Sequence, residues 1–233
     1  MGVREFLEDS SVMIGDTLRA AAQSRMRSRH TSRRVPLPPP APVVLSPQSR
    51  IIAIGASTGG TEALREIIES LPPNAPPMLV VQHMPEGFTA AFAKRLDSLS
   101  AVEVKEARSG DAVVPGRVLI APGSHHMLLR RLRDGYVVQL DNGPLVSRHR
   151  PSVDVLFRSV AQAAGQYAAG VILTGMGDDG AEGLAEMHTA GARTIAQDES
   201  TSVVFGMPKE AIALGAVDEV LPLGQIARAI LKR

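Results

Sequence analysis

The sequence predicts an α/β fold, doubly wound, with a mainly parallel sheet, helices on both faces and an added β-hairpin. Three observations point there. Strand-like apolar runs alternate with helix-patterned segments from residue 50 to the C-terminus, the pattern of a mainly parallel sheet. A glycine-rich turn, Gly55-Ala56-Ser57-Thr58-Gly59-Gly60, joins the first run directly to the first helical pattern. The 233 residues with 44% hydrophobic composition suffice for one sizeable domain, or a domain plus a tail.

In chain order, strands are expected at Ile51–Ile54, Met78–Gln82, Val102–Ala107, Val118–Ala121, Gly170–Leu173, Thr194–Ala196 and Val217–Leu221. Helices are expected at Glu62–Leu71, Thr89–Leu99, Val153–Ala164, Gly180–Ala190, Pro208–Leu214 and Gln225–Leu231. In the first helix Ala63, Leu64, Ile67, Ile68 and Leu71 share one face. Asp134-Gly135, between Met127–Leu132 and Tyr136–Leu140, reads as a hairpin turn. Upstream, residues 1–34 read as a basic tail with one possible helix, and residues 35–49 as a proline-rich, extended linker. Residues 50–233 form the main domain.

Composition narrows the function. The tail holds seven Arg against four Asp or Glu, so the remaining 199 residues carry −2 of the net +1. A main domain of that balance disfavours nucleic-acid binding. Without cysteine there is no disulfide, thiolate nucleophile or thiolate metal site. No apolar run of about 18 residues is present, which argues against a membrane span, and no secretory signal is seen at the N-terminus. A cytoplasmic setting fits these features.

Parallel sheets bind ligands beyond the carboxyl ends of their strands. There the first strand delivers Ser57 and the second His83; the fourth brings Ser124, His125 and His126. The run at 170–173 leads into Thr174-Gly175-Met176-Gly177-Asp178-Asp179-Gly180, and the next into Gln197 and Asp198. A serine hydroxyl needs a base, and imidazole has the right intrinsic pKa. A carboxylate on the far imidazole nitrogen fixes the tautomer and stabilises the cation. Backbone amides in the 175–177 loop or at Thr58 could meet an oxyanion.

Other readings compete. A glycine turn between strand and helix also cradles phosphate. Against that, the second strand ends in Gln82-His83, not the acid of a dinucleotide site, and Gly60 is followed by Thr61-Glu62, not a phosphate-loop lysine. Gly55-x-Ser57-x-Gly59 matches the α/β-hydrolase elbow, but the order here is serine, histidine, acid. Asp178 and Asp179 lack a clear third metal ligand. Asp178 reads better as a helix N-cap. His188 reads as a helix-surface or packing residue, His149 as an exposed loop residue, and His125 and His126 as structural or rim residues. A phosphate-binding module and a scaffold that holds a partner through its surface remain the two non-catalytic alternatives.

Several stretches together resemble the chemotaxis-type protein-glutamate methylesterases. They are Ile54–Gly60, Gln82-His83-Met84-Pro85, Ala121-Pro122-Gly123, Arg150–Phe157, Leu173–Ala181 and Phe205-Gly206-Met207-Pro208. The resemblance spans about residues 50–233. It implies a serine hydrolase with Ser57 as nucleophile, His83 as base and Asp179 as orienting acid, while Thr58 and Met176 line the site. It implies no metal and no cofactor. The implied substrate is a γ-glutamyl methyl ester on the cytoplasmic helices of a chemoreceptor, with glutamate and methanol as products, and deamidation of certain receptor glutamines as a second activity. Where that family usually carries a receiver domain, this chain has only tail and linker. It reads as a catalytic fragment with its linker or as a receiver-free relative.

Overall fold

The strand Ile51–Ala56 (β1) is buried along its whole length, as a strand covered by helices on both faces must be. The structure, a computed structural model, describes residues 50–232. The expected tail (1–34) and linker (35–49) lie outside the described residues. After β1 come α1 (Gly60–Glu69), β2 (Met78–Gln82), α2 (Phe88–Leu99), β3 (Glu103–Glu106) and β4 (Arg117–Ile120). A hairpin, β5 (His126–Leu132) and β6 (Gly135–Asp141), follows, then α3 (Val153–Ala164) and β7 (Ala168–Ile172). The chain continues through α4 (Ala181–Thr189), β8 (Arg193–Gln197), α5 (Met207–Ala213), β9 (Glu219–Leu221) and α6 (Leu223–Leu231).

Seven strands form one sheet in the order β3-β4-β2-β1-β7-β8-β9, and every pairing in it is parallel. Side chains alternate along β1 and so feed two cores. Ile52, Ile54 and Ala56 pack with Leu64, Ile67 and Ile68 of α1, Leu96 of α2, and Ile226 and Ile230 of α6. Ile51 and Ala53 face Leu156, Phe157 and Val160 of α3, Leu184 and Met187 of α4, and Met207 of α5. The hairpin covers that second core with Met127, Leu129 and Val138. Its loop is one residue earlier than the sequence suggests. Leu132 pairs with Gly135, leaving only Arg133 and Asp134 between the strands. A two-residue connection is the favoured hairpin geometry. Among the described residues, no helix is long and apolar enough to cross a membrane.

The strand order places the site. From β1 the chain moves one way to β2 and later returns to β7 on the other side of β1. The order thus reverses between β1 and β7, which opens a crevice beyond their carboxyl ends. The start of α3 is seated against the same strand. A Cβ added at Gly55 would lie 2.2 Å from Val153 Cγ1, and one at Gly180 would lie 2.5 Å from the same atom. Only glycine allows the helix that close. Gly55→Ala is therefore expected to destabilise the fold by about 1–3 kcal/mol, read as a lower urea midpoint at unchanged slope. An unchanged midpoint would mean that Val153 does not depend on that seat.

Candidate active site

Ser57 leaves β1 in a tight turn. Its amide donates to Thr174 O at 3.0 Å, and its carbonyl accepts from Gly60 N at 2.8 Å. The first bond ties the serine turn to the segment following β7. Gly175 passes directly over the serine: a Cβ there would lie 2.8 Å from Ser57 Cβ and 2.2 Å from Met207 Sδ. The Thr174 hydroxyl donates to Thr58 O at 2.9 Å and accepts from Val204 N at 3.0 Å. The Thr58 and Met176 amides enter no hydrogen bond among the described residues.

His83 follows β2, and its amide donates to Ala56 O at 3.0 Å. Its Nε2 lies 2.7 Å from Asp179 Oδ2, with side-chain exposures of only 8% and 0%. Nδ1 is buried without a hydrogen-bond partner. Asp179 sits at the N-terminus of α3 rather than capping its own helix. Besides His83 it accepts from Ser152 Oγ at 2.7 Å, Val153 N at 2.8 Å and Asp154 N at 3.1 Å. A helix N-terminus favours negative charge, and these amides have no partner inside their helix. Burial pushes the Asp179 carboxyl up, but His83, Ser152 and the two amides outweigh it and hold it below the usual range. Beneath it, Asp154 goes the other way. Burial and the Asp179 charge raise it, against hydrogen bonds from Gly183 N and the Ser147 hydroxyl. An ionised Asp179 beside Asp154 is a division of charge imposed by donors, which Asp179 has in greater number.

Three residues acquire roles that their sequence positions did not reveal. The Gln82 amide nitrogen donates to Ser57 O at 2.9 Å and His83 O at 3.1 Å, clamping the two turns together. A polar residue closing the apolar run 78–81 was the only signal for it. Ser152 N-caps α3 while bonding Asp179. His149, expected on an exposed loop, is half-buried and stacks on His83 with ring centroids 3.7 Å apart and planes 3° apart. Donor atoms of His83, His149 and Asp179 lie within 4.8 Å of one another, a spacing that a cation could span. The lone pairs of stacked rings, however, lie in parallel planes and do not converge on one point, as metal ligation requires.

The other candidates do not join this cluster. Asp178 does not N-cap α4, whose cap is Gly180; its carboxylate is 67% exposed and 3.9 Å from Arg148. His126 is buried and structural, accepting from Ser152 N and donating to Pro144 O at 2.8 Å. His125 pairs with the Ser124 hydroxyl at 2.8 Å. His188, on the helix surface, contacts Asp218 at 3.1 Å. Gln197 accepts from Thr174 N at 2.8 Å, and Asp198 caps the turn to Thr201.

Comparison with known proteins finds relatives over the whole chain. The family model described as CheB methylesterase matches residues 52–230. A protein-glutamate methylesterase/protein-glutamine glutaminase 2 of Rhodospirillum rubrum is 58% identical over all of this chain, which spans 69% of that relative's length. A protein-glutamate methylesterase/protein-glutamine glutaminase 5 of Anaeromyxobacter dehalogenans is 57% identical over the whole chain, covering 67% of its own. The crystal structure of the Thermotoga maritima CheB methylesterase catalytic domain superposes with a TM-score of 0.77 at 44% identity, over 78% of this chain and 97% of that one.

The two neighbouring acids should separate cleanly by mutation. Asp179→Asn is expected to lower kcat by about 10³–10⁴-fold and Asp178→Asn by less than about threefold, measured as ester turnover at neutral pH. A lowered carboxyl pKa contributes stability above its unfolded value, and that contribution is lost as pH falls through the folded value. The stability advantage of wild type over Asp179→Asn should thus be constant near neutrality and shrink below about pH 4, as followed by urea titrations at a series of pH values.

Proposed function

The chain belongs to the CheB methylesterase family, and on that premise we propose that it is a serine hydrolase which removes methyl groups from γ-glutamyl methyl esters of chemoreceptors and deamidates receptor glutamines. Residues 50–233 are its catalytic domain. The observation that carries the reading is the buried His83–Asp179 pair, whose remaining imidazole nitrogen is unpartnered, held beside the serine turn by Gln82.

In this reading Ser57 Oγ attacks the ester carbonyl carbon as His83 Nδ1 takes its proton. The tetrahedral oxyanion is met by the free amides of Thr58 and Met176. The carbon–oxygen bond to methanol then breaks, and His83 returns the proton to the departing methoxy oxygen. Water attacks the resulting glutamyl-serine ester and gives its proton to the same nitrogen. Ser57 regains that proton as the glutamate carboxylate leaves. With glutamine the leaving group is ammonia. Asp179 keeps the Nε2 proton aimed at itself and stabilises the imidazolium. None of these steps calls for a metal or cofactor.

The substrate segment is the cytoplasmic helical part of a chemoreceptor, and the enzyme works in the cytoplasm. The relatives' additional length leaves room for the upstream receiver domain implied by the family resemblance. Methanol release from methylated chemoreceptor membranes tests the reading. Ser57→Ala should fall by about 10⁴-fold or more with its melting temperature retained. Equal release by both proteins would exclude Ser57 as the nucleophile. Stabilisation by nucleotide or phosphate without turnover would favour a binding module instead.

A further inference from the structure

We propose that His149 is a positioning residue for the base: its neutral ring, stacked on His83, fixes the His83 plane and receives the face of the imidazolium that forms during turnover. This rests on the reading that His83 serves Ser57. No element of regular structure carries His149; it closes a two-residue turn, with Val146 and His149 exchanging backbone hydrogen bonds of 3.1 and 2.9 Å. The turn residues, Ser147 and Arg148, both have left-handed backbones, with φ of 49° and 66°. Neither is a glycine, so this conformation costs free energy and persists only where its surroundings enforce it.

The enforcing contacts are specific. The Ser147 hydroxyl donates to Asp154 Oδ2 at 3.1 Å, and the Arg148 guanidinium approaches Asp178 at 3.9 Å. His149 Nδ1 donates to Ser147 O at 2.6 Å, which fixes the ring and leaves Nε2 without its hydrogen in the neutral form. The outcome of this strain is the 3.7 Å parallel stack. At that separation the two neutral rings are in van der Waals contact, and a cation lying on a neutral ring is favourable. Two imidazolium rings at that distance repel strongly.

The surroundings keep His149 in the useful state. Burial and then His83 push its pKa below the ordinary imidazole value; Asp179, beyond His83, pulls it up, and Arg148 in its own turn pushes it down. His149 is therefore neutral at neutral pH, and the proton taken from Ser57 goes to His83 alone. In acid both rings must be free of protons before His83 can act. The acid limb of the rate profile then reports two groups, not one.

The test is the pH dependence of kcat/KM for methanol release from methylated chemoreceptor membranes, using wild type, His149→Phe, His149→Ala and Ser57→Ala. Phenylalanine keeps the stacking face but cannot be protonated. His149→Phe should stay within about threefold of wild type near pH 8, with an acid limb of slope about one where wild type steepens towards about two. His149→Ala should lose about tenfold or more in kcat with KM little changed. Equal losses in the Phe and Ala variants, or a wild-type limb in His149→Phe, overturn the proposal while Ser57→Ala is inactive. If His149→Ala does not fold, the slope of the Phe variant decides alone. Wild-type turnover by Ser57→Ala would overturn the triad reading, and this proposal with it.

Discussion

A single carboxylate, buried and ionised, sets the conditions for the rest of this molecule. Asp179 can hold its charge away from water only because Ser152, two helix amides and His83 all donate to it. That requirement fixes where α3 begins, since its first amides must point at the carboxylate. It also explains why Val153 is pressed into the notch formed by Gly55 and Gly180. Ser152 does two jobs with one hydroxyl, ending the loop and starting the charge network.

Around that anchor the serine and histidine turns are tied to one another through their backbones. Gln82 reaches the carbonyls of both Ser57 and His83, while Thr174 holds the serine turn from the other side through Thr58 O. His83 Nδ1 is left without a hydrogen-bond partner beside the serine turn. Gln82 Oε1 is buried without a partner, a desolvation cost of about 1–3 kcal/mol accepted where the nitrogen of the same amide makes the clamp. His126 links the hairpin to the same network through Ser152 N. The hairpin thus supports the site without presenting a residue to it.

Much of this was legible in the chain. Among the described residues, the alternation of apolar runs and amphipathic segments located every strand of the sheet and every α-helix to within a few residues, because periodicity of burial is local information. Parallel strands end together, so the residues after β1, β2 and β7 had to meet at one edge. What stayed hidden depends on direction rather than position. Asp178, expected to cap its helix, points to solvent instead, and the seat of Asp179 on the α3 N-terminus was marked by no local pattern. His149 lies between two arginines, a context that reads as exposed; only the left-handed turn at Ser147 and Arg148 directs it inward. The outer position of β3, beside β4 and not β2, follows from no pattern in its four residues.

The link from His83 to Asp179 spans 96 positions of sequence, and the hydrogen bond from the Ser57 amide to Thr174 O spans still more. Contacts that distant close late, after the loop entropy between them has been overcome. During synthesis the serine and histidine turns leave the ribosome long before the acid and its helix can complete them. A nascent or partly folded chain consequently holds Ser57 and His83 without Asp179 or the α3 N-terminus beside them. On the proposed mechanism, ester turnover requires all of these distant segments to be in place, so it doubles as a readout of the assembled domain.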